Sequence, residues 1–302
     1  MSLIALKIDV DTYRGTREGV PRLADLLERL QARATFLFSL GPDHTGRAVR
    51  RAFRRGFMGK VRRTSVLKHY GLKTLLYGTV LPGPHIGRRS RPILQRIAER
   101  GFEVGVHTYD HVKWQDGVAA ADEPWTRREL TLARDQFAEV FGRYPRVHGA
   151  AGWQVNRFVP ELQKQLGFEY ASDSRGFGPF LPVVGGRTFE VPQLPTTLPT
   201  LDELIGRPDL GSEDPIDHLL RLTAGTDGNH VYTLHAELEG GLYAQAFERL
   251  LRAWRSQGAQ LVDLGAYAAT LDFKNLPRHA LEEGSVAGRS GTLACQALTP
   301  SG

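Results

Sequence analysis

The sequence is poor in cysteine and lacks a long apolar run. Its single cysteine, Cys295, cannot close an intramolecular disulfide, which excludes a disulfide scaffold and fits a reducing compartment. No apolar run is long enough for a transmembrane helix. No signal-peptide pattern precedes the strand-like run at Leu3, so we expect no secretion by that route. The 302 residues are 41% hydrophobic and 24% charged, which predicts a globular protein of one large or two ordinary domains.

Acidic residues are missing from one part of the chain. Between His44 and Ala98 there are 14 Lys or Arg residues and no Asp or Glu, although the formal net charge of the whole chain is only +6. This composition marks residues 44–90 as a basic insert in an otherwise acidic protein. Large apolar residues recur there at every fourth position, which predicts one face of a helix: Val49, Phe53, Phe57 and Val61. A basic helix with such a stripe is typical of a segment that lies in an anionic membrane interface.

Two other interpretations of the basic insert remain open. Its apolar stripe would also be explained if the insert covered the acidic body of the protein. Its positive charge would also suit nucleic acid, but no helix-turn-helix, zinc-finger or other recognition pattern accompanies it, and we expect no nucleic-acid partner.

Predicted strands and helices alternate along the rest of the chain, which indicates parallel βα units. The predicted strands are Leu3–Val10, Ala34–Leu40, Glu103–Val106, Arg146–His148, Phe168–Ala171, His230–Leu234 and Gln260–Val262. About seven such units predict an α/β fold, a (β/α)7-type distorted barrel, with a doubly wound open sheet as the alternative. We assign residues 1–272 to this domain and expect the Gly-, Ser- and Pro-rich segment 273–302 to be disordered.

Ionisable residues with metal-binding spacing lie at the predicted strand ends. Asp9 and Asp11 share one face of the first strand, and two carboxylates placed together favour a shared cation. His107 and His111 are four residues apart, which suits one metal ion, and with Asp11 they form a set of two histidines and one carboxylate. A non-haem Fe(II) oxygenase uses the same set. His235 ends an apolar strand and is either a core histidine or part of the same rim.

These motifs resemble those of the polysaccharide deacetylase (NodB-homology) family of metal-dependent carbohydrate amide hydrolases. Asp9-Val10-Asp11 resembles the first motif, in which one Asp is the general base and the next a metal ligand. The segment His107–His111 resembles the second motif, which supplies two metal histidines, and Thr233-Leu234-His235 resembles the last motif, whose histidine is the general acid. Residues 148–153 replace the usual Arg-x-Pro-Tyr of the third motif, so the family's roles do not transfer there.

Longer matching stretches resemble one branch of this family, which removes the formyl group from an undecaprenyl-phosphate-linked formamido-arabinose during lipid A modification. They are Ile8–Leu23, Ala150–Trp153, Ser172–Gly176, Leu198–Glu203 and His235–Gly240. The resemblance implies a NodB-like fold, hydrolysis of a linear amide, and a Zn, Mn or Co ion on Asp11, His107 and His111. It also implies the lipid-linked sugar as substrate and a peripheral location on the anionic lipid surface at the cytoplasmic face of the bacterial inner membrane.

Two further residues receive roles in the catalysis that this resemblance implies. Asp173 is predicted to orient His235 or tune its charge, and Arg175 is predicted to pair with Asp9 and keep it ionised. His148 receives no role. The alternatives are another carbohydrate N-deacylase of the same family and a non-catalytic protein that binds anionic membranes.

Overall fold

A parallel sheet forms the centre of the molecule in a computed structural model, which describes residues 2–48, 74–225 and 228–300. The strands in these ranges are, in chain order, β1 (Leu3–Val10), β2 (Thr35–Ser39), β3 (Glu103–Thr108), β4 (Val147–His148), β5 (Tyr170–Ala171), β6 (Leu181–Val184), β7 (Arg187–Thr188), β8 (His230–His235), β9 (Gln260–Val262), β10 (Arg278–Gly284) and β11 (Leu293–Pro300). The main sheet runs β5-β4-β3-β2-β1-β8, and β9 pairs with the start of β1. All of these pairs are parallel.

Helices cover the outside of this sheet. They are α1 (Val20–Arg29), α2 (Ile86–Arg89), α3 (Arg91–Glu99), α4 (His111–Gly117), α5 (Glu123–Phe141), α6 (Val159–Gln165), α7 (Leu201–Leu204), α8 (Pro215–Thr223), α9 (Ala244–Ser256) and α10 (Leu264–Ala268). Helix α5 shows how local sequence sets the bounds: the Asp122 side chain caps its first turn by accepting from the backbone N–H of Trp125. Gly142 ends it in the left-handed conformation, with φ of 70°.

The two faces of β1 explain why polar residues lie inside the sheet. Ile4, Leu6, Ile8 and Val10 pack with the surrounding helices in one large core, whereas Ala5 belongs to a second buried cluster with residues of the neighbouring strands. Because successive side chains in a strand alternate between faces, Lys7 and Asp9 share the face of Ala5. An apolar layer therefore fills one end of the interior, and polar groups follow it towards the carboxyl ends of the strands.

An irregular segment closes the gap between the edge strands β5 and β8. The backbone of Ala171 in β5 donates to Pro192 and accepts from Leu194, and a few residues later Thr197 N–H donates to the carbonyl of Val231 in β8. The segment thus hydrogen-bonds to both edges in place of a regular strand. The prediction of a distorted seven-stranded α/β barrel is confirmed.

The expected disorder of residues 273–302 is wrong for their described part, 273–300. Strand β10 pairs in parallel with β6 and antiparallel with β11, so the C-terminal hairpin extends a second sheet in the order β11-β10-β6-β7. His279 and Leu293 are buried in this hairpin. Backbone pairing with a strand about a hundred residues earlier in the chain orders this segment, and its composition gives no sign of that pairing.

The predicted helix of the basic insert, at Val49–Val61, lies outside the described residues. Within the described part of the chain, no helix has both the length and the apolar composition that crossing a bilayer requires.

Candidate metal centre and active site

The three predicted metal ligands meet at the carboxyl ends of β1 and β3. Asp11 follows β1, His107 lies in β3, and His111 is the first residue of α4. Asp11 Oδ1 lies 3.3 Å from His107 Nε2 and 3.5 Å from His111 Nε2. One ligand atom from each residue falls within 4.8 Å of the other two. The parallel arrangement of neighbouring strands brings residues about a hundred positions apart into one cluster.

Hydrogen bonds orient these three side chains. His107 Nδ1 is 2.6 Å from the carbonyl oxygen of Gly149, so Nδ1 carries the proton and the lone pair of Nε2 faces Asp11. The Asp110 side chain accepts from Lys113 N–H and caps α4, which fixes the helix that begins with His111.

Glu237, which sequence analysis did not single out, holds the loop that carries Asp11. Glu237 Oε1 accepts from the backbone N–H groups of Asp11 at 3.1 Å and Thr12 at 2.8 Å, and from the Thr12 hydroxyl at 2.8 Å. Burial raises the pKa of Glu237, and the charge of Asp11 raises it further. This contact could not be predicted from the sequence, because Glu237 and Asp11 are 226 residues apart in the chain.

The cluster fits a divalent cation. Asp11 Oδ1 is buried and forms no hydrogen bond with a described residue, although it lies between two imidazole nitrogens. Ligand bonds of about 2.0–2.2 Å in a tetrahedral arrangement place neighbouring donor atoms about 3.4 Å apart, which agrees with the distances from Asp11 Oδ1 to the two histidine nitrogens. Burial raises the pKa of Asp11. The nearby His111 and His107 lower it by more, so the pKa of Asp11 is below its usual value. Two histidines and one carboxylate leave coordination positions for water and substrate.

Asp9 lies behind this cluster and pairs with a buried lysine. Its Oδ2 is 3.5 Å from Lys7 Nζ, and its Oδ1 is buried without a hydrogen bond to a described residue and lies 3.8 Å from His107 Nδ1. Lys7 is fully buried and donates to the carbonyl of Ser172 at 2.8 Å. Burial lowers the pKa of Lys7, and Asp9 opposes that shift. Sequence analysis missed Lys7, although a lysine two positions before an aspartate on a strand shares its face.

Arg175 does not pair with Asp9, so that prediction is wrong. Arg175 Nη1 instead lies 2.5 Å from Glu203 Oε1, and its Nη2 donates to the carbonyl of Leu198 at 3.0 Å. The side chain extends to the segment that closes the barrel, and Lys7 occupies the position beside Asp9.

His235 lies at the end of β8, and its neighbour is Asp202 rather than Asp173. His235 Nδ1 is 3.7 Å from Asp202 Oδ1, and its backbone N–H donates to Glu239 at 2.9 Å. Burial lowers the pKa of His235, but Asp202, Asp11 and other carboxylates outweigh burial and raise this pKa to about 9. His235 is therefore a proton donor at neutral pH in this electrostatic environment.

The predicted contact between Asp173 and His235 is wrong. Asp173 Oδ1 lies 2.8 Å from His148 Nδ1 and accepts from the backbone N–H of Ala150 at 2.7 Å, and Gln163 and Gln193 donate to its Oδ2. Both carboxylate oxygens of Asp173 therefore have partners in a buried network, which stabilises the loop after β4. This network also places His148, for which the sequence offered no role.

A cavity of about 160 Å³ opens over the cluster. Its wall consists of Asp11, His107, His111, Gln115, Gly152, Asp202, His235, Glu237, Leu238 and Arg289. It adjoins a larger open cavity of about 830 Å³, and the two share Gln115, Gly152, Asp202 and Arg289. The predicted ligands and His235 thus face one space that can admit a small polar group, with room beside it for a larger substrate.

Comparison with known proteins identifies the family. The model of the family described as polysaccharide deacetylase matches residues 2–171, more than half of the chain. The chain belongs to the polysaccharide deacetylase family. A Shewanella sediminis (strain HAW-EB3) protein named "Probable 4-deoxy-4-formamido-L-arabinose-phosphoundecaprenol deformylase ArnD" is 34% identical over 296 residues, which cover 97% of this chain and 94% of the relative. A protein of the same name from Wigglesworthia glossinidia brevipalpis is 30% identical over 285 residues, 93% of this chain and 98% of the relative.

The fold of this polysaccharide deacetylase is shared with solved structures. A crystal structure from Mycobacterium smegmatis, assigned by name to the polysaccharide deacetylases, superposes with a TM-score of 0.64 at 19% identity and covers 94% of this chain and 95% of its own. Family membership and the deformylase names of the two relatives confirm the predicted class of enzyme, a hydrolase of linear amide C–N bonds. The metal dependence of the family agrees with the cluster of Asp11, His107 and His111.

Proposed function

We propose that this enzyme hydrolyses the formamide of 4-deoxy-4-formamido-L-arabinose-phosphoundecaprenol to the 4-amino-4-deoxy-L-arabinose lipid and formate, for lipid A modification and resistance to polymyxin and other cationic peptides. Two relatives with the deformylase name, each aligned over more than nine-tenths of this chain, support the substrate. The observation that carries the reaction type is the cluster of Asp11, His107 and His111 within 4.8 Å at the mouth of the barrel.

In this mechanism Asp11, His107 and His111 hold a divalent ion, Zn, Mn or Co. When bound, such an ion acidifies water and stabilises negative charge on the formyl oxygen. Asp9 accepts a proton from the attacking water, and Lys7, whose Nζ lies 3.5 Å from Asp9 Oδ2, holds the carboxylate in place. The water oxygen forms a bond to the formyl carbon, the C–N bond breaks, and His235 gives its proton to the departing amine, since an unprotonated amine is a poor leaving group. Asp202 keeps His235 protonated.

We also propose a peripheral location on the cytoplasmic face of the bacterial inner membrane, with the basic insert 44–90 on the anionic lipid surface. The insert contains 12 basic and no acidic residues, which supports this location. In the described end of the insert, Val80 is 77% exposed and Leu81 is 37% exposed, which supplies apolar contact beside the charge. Sedimentation with vesicles of anionic and of neutral lipids tests it: we expect salt-sensitive binding to anionic vesicles alone, and equal binding to both would contradict the proposal.

One assay separates this function from its alternatives. Purified protein is loaded with Zn, Mn or Co, its metal content is measured, and formate is quantified with the lipid-linked formamido sugar in the absence of oxygen. We expect one metal per chain and stoichiometric formate. A preference for the N-acetyl analogue would indicate another carbohydrate N-deacylase, an oxygen requirement would indicate an oxygenase, and inactivity with every metal would leave a membrane-binding protein.

A further inference from the structure

The loop between β10 and β11 forms one wall of the active-site mouth. At Gly288, which has a φ of 84°, a Cβ atom would lie 2.0 Å from the carbonyl oxygen of Glu203, so only glycine permits this close approach to α7. Two backbone hydrogen bonds join Arg175 to β11, from Arg175 N–H to Ala294 at 2.9 Å and from Gln296 N–H to Arg175 at 2.8 Å. The loop is therefore held against the barrel, and its Arg289 lines both cavities.

Trp153 provides a platform for the Arg289 side chain. The guanidinium carbon of Arg289 lies 4.5 Å from the centroid of the Trp153 ring. Trp153 is buried, adopts a left-handed φ of 54°, and donates from Nε1 to the Thr196 hydroxyl at 3.0 Å. Such a conformation is strained for a bulky residue and persists only where the surrounding structure holds it. Stacking on an aromatic ring restrains a guanidinium in one plane and leaves its N–H groups free to bind an anion.

The charge of Arg289 is only partly compensated by the carboxylates of the described residues. Glu203 is the only carboxylate of a described residue within salt-bridge distance, and its Oε1 lies 3.6 Å from Arg289 Nη1. The same Oε1 is already 2.5 Å from Arg175, and Oε2 accepts from the backbone N–H of Thr200 at 3.0 Å. The other acid nearby, Asp202, lies 3.7 Å from His235, and Arg289 contributes less than His235 to the lowered pKa of this carboxyl. The Arg289 side chain is 20% exposed, so its free N–H groups reach the cavity.

We propose that Arg289, stacked on Trp153, binds the phosphodiester of the lipid-linked sugar and thereby determines specificity for a phosphorylated substrate. The inference rests on the proposed function, because it assigns the charged part of that substrate to one wall of the same mouth. A guanidinium pairs with two phosphate oxygens through parallel hydrogen bonds, a geometry that lysine cannot reproduce. The formamide then lies over Asp11, His107 and His111 while the phosphate is held at Arg289.

The test compares two soluble substrates without a membrane: the formamido sugar joined through a phosphodiester to a short prenyl chain, and its methyl glycoside, which has no phosphate. For Arg289→Gln we expect KM for the phosphodiester to rise about 10- to 100-fold with little change in kcat, and both constants for the methyl glycoside to stay at the wild-type value. Arg289→Lys should recover part of the loss. Arg278→Gln, which removes an exposed arginine from the same hairpin, is the matched control and should behave as wild type.

Three results would overturn the inference. Unchanged constants for Arg289→Gln on both substrates would show that the phosphate binds elsewhere, and equal losses on both would show a structural role. Loss of binding to anionic phospholipid vesicles by Arg289→Gln, with unchanged kinetic constants, would assign Arg289 to membrane phosphate. If the wild-type enzyme releases formate from neither substrate, the proposed function itself fails, and formate release from both substrates upholds that function whatever Arg289→Gln does.

Discussion

Lys7 and Asp9 meet inside the barrel, with 3.5 Å between Lys7 Nζ and Asp9 Oδ2. Both are almost completely buried, and their positions on alternate residues of β1 make the contact a property of the strand itself. In this chain the third family motif lacks its arginine, and the lysine on β1 supplies a cation beside the proposed general base. The pair is therefore built into the central strand of the sheet.

Replacement of Lys7 by methionine should reduce turnover without removing the metal. The substitution keeps the buried volume but leaves the buried Asp9 carboxylate without its cation. We expect kcat to fall at least about 30-fold, from a loss of about 2 kcal/mol of stabilisation, while metal content stays at the wild-type level. Lys7→Arg is the matched control and should retain more activity. A fully active Lys7→Met enzyme would show that Asp9 does not depend on this pair.

Substitutions in the metal cluster and at Asp9 should separate binding from catalysis. Asp9→Asn removes the proton acceptor but no metal ligand, so formate release should fall by about 10²–10⁴-fold at unchanged metal content. His107→Ala should lose both metal and activity, because one of three ligands is removed. Elemental analysis and formate assays on the same preparations check this. Near wild-type turnover by Asp9→Asn would exclude Asp9 as the general base.

The basic limb of the pH profile should depend on Asp202. His235 must be protonated to act as the acid, and its pKa is raised to about 9, so kcat/KM should fall as pH rises through the His235 pKa. Asp202→Asn removes the carboxylate 3.7 Å from His235 Nδ1, lowers this pKa and should move the limb to lower pH by about 1 unit or more. Asp135→Asn removes an exposed carboxylate paired with Arg134 and should leave the limb in place. An unmoved limb in Asp202→Asn would refute the assignment.

Glu237 should make the protein without its metal less stable as pH rises. Burial raises the pKa of Glu237 above its usual 4.5, so the folded protein holds this proton more tightly than the unfolded chain does. The free energy of unfolding should fall as pH increases from about 5 towards 8, and Glu237→Gln should reduce that fall. Urea unfolding at both pH values in the presence of a chelator measures it. Identical slopes for the two proteins would contradict the buried-acid explanation.

Removal of the C-terminal hairpin should destabilise the enzyme. A chain that ends at residue 272 loses β10, one of the two partner strands of β6, and exposes surface covered by Leu293, Ala294 and Ala297. We expect a loss of about 3–5 kcal/mol of unfolding free energy and no formate release. Removal of residues 301–302 alone is the control and should change neither quantity. Wild-type stability of the shorter chain would mean that the hairpin contributes nothing to the fold.

The sequence predicts structure well where an element depends on neighbouring residues or on a periodic pattern of apolar residues. Helix α9 (Ala244–Ser256) is an example, because an amphipathic pattern covers it and a glycine follows at position 258. Asp11, His107 and His111 could be grouped in advance because the carboxyl ends of neighbouring parallel strands share one rim.

The ion-pair partners of buried charged residues could not be predicted from the sequence. Asp173 and Arg175 lie near the predicted rim, but their partners His148 and Glu203 depend on how the loops and the closing segment fold over the barrel. The strands β10 and β11 have no strong alternation of polar and apolar residues, and they are ordered because β10 pairs with β6 and β11 pairs with β10. Contacts between residues that are far apart in the chain produce no periodic pattern in a single sequence.

The position of the hairpin loop also orders events during translation. All three metal ligands have been synthesised once His111 is added, whereas Arg289 follows 178 residues later. At about 5–20 residues per second this interval lasts roughly 10–40 s. Throughout that interval the nascent chain contains all three ligands but not the loop that forms one wall of the mouth. With the role proposed for Arg289, the site for the substrate phosphate is therefore completed only after the metal ligands have been synthesised.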